Sequence, residues 1–313
     1  MATLTNPKTV GDDAPKTLWE RIFTSTPVAM TMVATLLAGL SSSEMTRAQY
    51  DRSMAAQLQS KAGDQWSFFQ AKRLRGSLQQ NDADLLNLDE DRPLLVGDAL
   101  ANAIRVVPGV EANSAAMAAL TQGKLPALPS PAFSTALQAA IDAVATQRTE
   151  SDIAALLKAV PSDDLSTAMQ TCKDIAAKDD TILQPILKQV DWIQTAVLAN
   201  TPAPAAAGQR IPSLKRSVVA AKLALATHRY EAEARLNQTL ANVYELQVRT
   251  SNLSADRHYL RSQRFFFGML FAQFSVVMST FAIAVRLKNT LWALAAGAGL
   301  FAVAFALYVY LYV

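Results

Sequence analysis

Residues 265–313 are almost wholly apolar, interrupted only by Arg286, Leu287, Lys288, Asn289 and Thr290. The two arms, 265–285 and 291–313, each run about 20 residues, enough for a helix to cross the roughly 30 Å hydrocarbon layer. Within lipid the backbone must satisfy its own hydrogen bonds, so arms of this kind are helices. A chain that carries such a hairpin has the lipid bilayer as its first partner.

Composition agrees. The chain is 51% hydrophobic and 18% charged, whereas soluble domains are about a quarter charged. A second apolar concentration lies near residues 27–40. That leaves about 220 residues between, ample for a domain with its own core. The net charge of +3 is small and the basic residues are scattered, so no nucleic-acid partner is expected. Cys172 is the single cysteine, which excludes an intramolecular disulfide and a cysteine cage. It reads as a buried thiol among Ala168, Met169, Ile175 and Ala176. His228 and His258 have no second ligand at metal spacing and read as surface residues. Neither a metal nor a cofactor is expected.

Residues 22–43 admit three readings. A cleaved signal peptide needs a basic n-region and a small-residue site; Ala38-Gly39-Leu40-Ser41 loosely offers the site, but the preceding tail is long and mixed in charge. A buried soluble helix is the second reading. The third, which we favour, is an uncleaved membrane helix whose Thr24, Ser25, Thr26, Thr31 and Thr35 hydroxyls bond to their own backbone or to neighbouring helices. Three spans then place the middle of the chain on one side of the membrane. Arg47, Arg52, Arg257, Arg261 and Arg264 would put that side in the cytoplasm on a simple count. The positive-inside bias acts through short elements, however, and those here (the tail, the Arg286/Lys288 loop and the uncharged C-terminus) favour the opposite orientation.

The middle region advertises only helix. Met45, Tyr50, Met54, Leu58, Trp66, Phe69 and Leu74 recur mostly at steps of three or four within 43–80. Residues 213–264 hold no internal proline or glycine, and Leu236, Val243, Leu246, Leu253 and Leu260 form a coiled-coil-like seam spoiled by Arg257 and Arg264. Continued into 265–285, that helix would exceed roughly 100 Å. Between these stretches, prolines divide an alanine-rich part into short helices expected at 94–106, 114–122, 132–147, 150–160, 164–178 and 181–198. Asp163-Asp164 and Asp179-Asp180 read as solvated pairs in polar turns, as does the triplet Asp89-Glu90-Asp91.

The expected architecture is an all-α membrane protein with three transmembrane helices, a long antiparallel helical stalk and a small helical head. In order these are a tail (1–21), a first membrane helix (22–43), an ascending stalk helix (44–84), the head (85–200) and a Pro/Ala linker (201–212). A descending stalk helix (213–264) and two membrane helices (265–285 and 291–313) around a basic loop (286–290) complete it.

The sharpest local motif is Gly63-Asp64-Gln65-Trp66-Ser67-Phe68-Phe69-Gln70-Ala71-Lys72. It resembles the Ser-Asp-Gln-Trp-aromatic-aromatic-Gln-Ala-Lys signature of the DUF4337 family, bacterial membrane proteins of unknown function. Gly63 stands where the signature has Ser, and Ser67 separates Trp66 from the aromatic pair. The resemblance extends to the hairpin, in Phe271-Ala272-Gln273-Phe274, Arg286 to Lys288 and Leu291-Trp292, and covers roughly 22–80 and 240–313. The head finds no counterpart. What the resemblance implies is one N-terminal span, a helical middle and a two-span hairpin in a bacterial inner (cytoplasmic) membrane, with no activity attached. The short-element charges then put the middle domain on the periplasmic side.

Asp64, Gln65, Trp66, Phe69 and Gln70 read either as a docking surface or as a packed aromatic face whose glutamines bond across the stalk, with Asp64 and Gln65 at a turn. Gln273 lies mid-span, where a polar side chain serves as helix glue or, less often, as pore lining. Ala293 with Gly297, and Ala295 with Gly299, give small-x-x-x-small spacing that permits close helix approach. These residues make a homo-oligomer the expected state, with the head open to a protein partner. No phosphate loop, nucleophile elbow or His-Glu-x-x-His is present. The expected function is a non-enzymatic, membrane-anchored scaffold displaying a helical domain; the alternative is a channel lined by Gln273, Ser275, Ser279 and Thr280.

Overall fold

The computed structural model describes residues 18–87, 114–199, 213–285 and 288–312. The features expected at 1–17, 89–91, 94–106, 201–212 and 286–287 lie outside the described residues. Among those described, the regular structure is seven helices and no strand: α1 (Leu18–Asn87), α2 (Ala115–Gln122), α3 (Thr135–Ala145), α4 (Glu150–Leu157), α5 (Ser162–Ala199), α6 (Ser213–Ala284) and α7 (Lys288–Tyr312). The short helices begin where hydroxyl side chains accept orphan amides: Ser114 from Met117, Ser134 from Leu137 and Thr149 from Asp152. Gly123 closes α2 at φ 63°, a left-handed cap that glycine adopts without penalty.

Three local expectations need correction. The helices expected at 164–178 and 181–198 are one helix, α5, so Asp179 and Asp180 sit mid-helix and not in a turn. Pro185 fails to end it, because Leu183, Ile186, Val190 and Ile193 are all held in a hydrophobic core; tertiary packing outweighs the lost amide. Lys288, Asn289 and Thr290, expected in the basic loop, form the first turn of α7. Along α6, Val243 and Leu246 are buried as the seam expects, but Leu260 is 47% exposed and Ser262 is buried in its place. A helix of 3.6 residues per turn drifts off a strict heptad.

The described chain forms two compact units, Met1–Met54 with Ser251–Val313, and Ala55–Thr250. In the first, α1, α6 and α7 are each long and apolar enough to cross a membrane. Ala34 and Leu37 from α1 pack with Phe265 and Ala272 from α6 and with Ala302 and Val309 from α7. Large apolar side chains nonetheless point outward, Leu36 at 68% and Leu300 at 73% exposure. Such a surface suits lipid far better than water, which favours the membrane reading of residues 22–43 over a buried soluble helix. The hydroxyls of Thr26, Thr31 and Thr35 donate to carbonyls four residues back at 2.7–2.9 Å, so this segment carries no unmet donor into hydrocarbon. Trp292, whose Nε1 donates to Thr26 Oγ1 at 3.3 Å, marks one end of the apolar zone. Exposed Tyr308, Tyr310 and Tyr312 mark the other. From Trp292 to Tyr308 is about 24 Å of helix, close to the hydrocarbon thickness that aromatic belts bracket.

Just past the tyrosine end, α1 and α6 are fastened by polar contacts. Ser41 Oγ donates to the Ser262 carbonyl at 2.9 Å, and Ser262 Oγ to the Ser41 carbonyl at 2.8 Å. His258 Nδ1 lies 2.5 Å from Glu44 Oε2. His258 is therefore half-buried and partnered, contrary to its reading as a surface residue, and so is His228, whose Nε2 is 3.0 Å from the Pro126 carbonyl.

In the second unit, α1 and α6 run antiparallel, as the pairs Trp66–Glu245 and Lys72–Glu233 require. Here α5 also runs antiparallel to α6, through Asp180–Arg229 and Asp191–Lys222. Leu183, Ile193, Val218 and Leu225, with Met117 and Leu120 of α2, make one core. The stretch expected as a separate head thus shares its core with the long helix expected as stalk. Cys172 is buried, and burial pushes its thiol up to about 11, leaving too little thiolate near neutral pH for a reactive role.

Candidate functional site

The signature segment falls within α1, with no turn at Gly63. Its side chains divide. Trp66 and Phe69 are half-buried toward α6, their rings edge to face at 5.6 Å, and Trp66 Nε1 donates to Glu245 Oε1 at 2.8 Å. Glu245 in turn accepts from Arg249, which also reaches Glu150 at the start of α4 at 2.9 Å. Those hydrogen bonds hold Glu150 below the ordinary carboxylate range. Asp64 and Gln70 are exposed and Gln65 is half-buried; no hydrogen bond joins them to α6, so the glutamines do not bond across the helix pair. The aromatic positions form the packed face, and the polar ones stand outside it.

One to two turns further along α1, three helices converge. Lys72 pairs with Glu233 of α6. Glu233 also accepts from Arg229 Nε at 2.7 Å, and Arg229 reaches Asp180 of α5 at 3.6 Å. These charges border a cleft of about 350 Å³ whose apolar wall includes Phe68, Leu183 and Leu236. Asp179 forms part of the same wall. It is only 5% exposed, and its Oδ1 has no hydrogen-bond partner among the described residues. A buried carboxylate without a partner is costly as an anion. Burial raises its pKa above the ordinary carboxylate value, Asp180 and Glu233 push the same way, and His228 and Arg235 oppose them. Nothing local announces this, because an Asp-Asp pair beside Lys178 looks like a solvated turn; only the merger of two expected helices into α5 turns Asp179 inward.

The raised pKa has a signed consequence. Between the ordinary carboxylate value and the raised one, the folded state holds a proton that the unfolded state has lost. Stability therefore falls as pH rises through that interval, and the whole penalty is present above it. Asp179→Asn is expected to raise the melting temperature at pH 7. The gain should vanish as pH drops below the ordinary aspartate value, as thermal denaturation followed by circular dichroism would register. An equal gain at both pH values would show that charge burial is not the cause.

The membrane candidates also divide. Ala295 and Gly299 are buried in the three-helix contact, where Ser275 Oγ donates to the Ala295 carbonyl at 2.6 Å. A Cβ placed on Gly299 would lie 2.8 Å from Met30 Sδ and 3.2 Å from Ser275 Oγ. Ala293 and Gly297 face outward, and a Cβ on Gly297 would meet nothing within 4 Å. Gln273 is exposed, away from the α1–α6–α7 core, and no hydrogen bond ties it to a described residue. Ser275 and Ser279 are buried between the helices, leaving only Gln273 and Thr280 of the four expected pore-lining residues on the outside. Among the described residues no cluster of His, Cys, Asp and Glu is arranged to hold a metal ion.

Comparison with known proteins bears on the same segment. The family model of DUF4337, a domain of unknown function, matches residues 25–106. The match covers most of the segment expected as the first membrane helix and the whole Trp66 signature, runs beyond residue 80, and does not include the C-terminal hairpin. No curated protein and no solved structure matches the chain.

Proposed function

We propose, on a match to DUF4337 that covers residues 25–106 and carries no activity with it, that the protein is a non-enzymatic, membrane-anchored scaffold that assembles as a homo-oligomer and displays a helical extramembrane domain. The observation that carries this reading is Gln273, an amide on the outward face of an apolar span with no partner among the described residues. A primary amide facing hydrocarbon gains by pairing with a donor and acceptor on another helix, at about 0.6–2 kcal/mol per contact. A second copy supplies the same amide. The outward Ala293 and Gly297 supply a surface on which a helix can approach closely. Residence in a bacterial inner membrane, with the 55–250 unit on the periplasmic side, belongs to the same proposal and rests on the family and on the short-element charges.

Native mass spectrometry of the full chain in a mild detergent tests it. The expected result is a defined multimer that Gln273→Leu combined with Gly297→Ile reduces to smaller species, with helicity unchanged. A wild-type monomer overturns the reading. Conductance in planar bilayers that disappears in Gln273→Leu would replace the scaffold with a pore.

A further inference from the structure

The tyrosine end of the membrane unit carries more positive charge than its own acids can match. Residues 41–54 and 251–264 hold five arginines against three acids. Two of those acids are already engaged: Glu44 with His258 at 2.5 Å and Arg47 at 3.2 Å, and Asp256 with Arg52 at 3.7 Å. The third, Asp51 on α1, makes no ion pair with a described residue. What remains is Arg257, Arg261 and Arg264 on α6, without an ion pair or hydrogen bond to any described residue. The Nε of Arg261 is buried and unpartnered.

Spacing gathers this surplus on one side. Steps of four and three put the three guanidinium stems on one face of α6, where like charges repel and destabilise the helix unless an anion lies among them. The last carbonyls of α7 lack helical partners of their own. A Cβ on Gly268 would approach Ala302 of α7 at 3.8 Å; seven residues back along α6 and seven forward along the antiparallel α7 bring Arg261 level with Val309. Those carbonyls are within the neighbourhood, yet none of the three arginines hydrogen-bonds to them. The site is open to an external anion.

Depth and the adjoining surface identify its class. Arg264 immediately precedes the apolar stretch that starts at Phe265, and Arg257 stands about 10 Å farther out. That interval spans the headgroup layer outside the hydrocarbon. Phe267 and Phe271, three and seven residues after Arg264, are 54% and 42% exposed, and Phe274 is 50% exposed. From Arg264 to Phe274 is about 15 Å along the helix, half the hydrocarbon thickness and the depth that one leaflet's acyl chains fill. A free phosphate would use the arginines and leave the phenylalanines idle.

We propose that Arg257, Arg261 and Arg264, continuous with Phe267 and Phe271, form a binding site for an anionic phospholipid, the arginines holding its phosphodiester and the phenylalanines its acyl chain. Guanidinium groups suit this role because their planar donors match two phosphate oxygens at once. The proposal rests on the reading that α1, α6 and α7 cross a bilayer.

The test uses the full chain in detergent, titrated with phosphatidylglycerol or with phosphatidylcholine of the same acyl chains, and bound lipid counted by native mass spectrometry. Phosphatidylglycerol is expected to be retained preferentially. Arg261→Gln with Arg264→Gln should cut that retention by about tenfold or more, while helicity holds because glutamine is nearly as good a helix former as arginine. Arg73→Gln, in the other unit, should change nothing. Equal retention of the two lipids overturns the proposal, as does a double variant that binds normally. Displacement of phosphatidylglycerol by an equal concentration of inorganic phosphate would overturn the lipid assignment. An alkaline wash of cell membranes separates the premises: release of the wild-type chain defeats the spanning reading, whereas retention without phosphatidylglycerol preference defeats the lipid site alone.

Discussion

Gly299→Ile is expected to destabilise the three-helix membrane unit strongly, while Gly297→Ile, two positions earlier on α7, leaves its stability nearly unchanged. The first Cβ atom alone would sit 2.8 Å from Met30 Sδ, 3.0 Å from Met30 Cε and 3.2 Å from Ser275 Oγ. Met30 is flexible and can yield to a methyl group, so Gly299→Ala should be mild. Isoleucine adds three more carbons, and Ser275 cannot retreat without giving up its bond to the Ala295 carbonyl. Overpacking of this kind typically costs 1–3 kcal/mol and more when a hydrogen bond goes with it. At Gly297 the same side chain enters open space. Thermal unfolding in detergent, followed by circular dichroism, should show a large drop for the first variant and little change for the second. Equal behaviour of the two would mean that α7 is rotated from the arrangement described.

Leu225→Ala is expected to cost about 2–5 kcal/mol, the usual range for truncating a buried leucine when the surroundings cannot collapse into the gap. Leu225 is fully buried, in a core that α2, α5 and α6 build together with Leu183, Ile193 and Val218. Three helices converge there, so relaxation of any one is restrained by the other two and the upper part of the range is expected. Leu260→Ala is the control: it lies on the same long helix but is 47% exposed. Denaturant unfolding of the purified chain measures both. If the two variants lose similar stability, α6 does not present Leu225 to a core shared with α5.

The sequence made the spans and the helical class legible because long apolar runs and the absence of β-branched alternation are local properties. Capping was legible only in part: Ser134 was readable as the cap of its helix, whereas Thr149, which caps α4, was not. Partnership was not. Trp66 and Phe69 could be assigned to one helical face, but that Trp66 would select Glu245, almost two hundred residues away, depends on the register of two long helices. The same holds for the histidines. Nothing near His258 in the chain announces Glu44. The continuity of α5 was hidden in the same way: helix over 181–198 was legible, Pro185 included, but nothing local joins it to the helix before it across Asp179 and Asp180. The small residues of α7 illustrate the limit most clearly: two equivalent pairs, Ala293/Gly297 and Ala295/Gly299, differ by a 200° rotation about one helix, and only the fold tells which pair is spent internally.

The reciprocal bonds of Ser41 and Ser262 carry a consequence for motion. Each hydroxyl donates to the other residue's carbonyl, so the two contacts are made or lost as a pair. Sliding α6 along α1 by one residue would displace the hydroxyls by about 1.5 Å and turn them through about 100°, ending both bonds at once. Glu44 and His258, about one turn away on each helix, make a further polar contact at 2.5 Å that the same slide would also break. The serines therefore act as a detent: the two helices sit in one notch or have left it, and gradual creep between them has no stable stopping point.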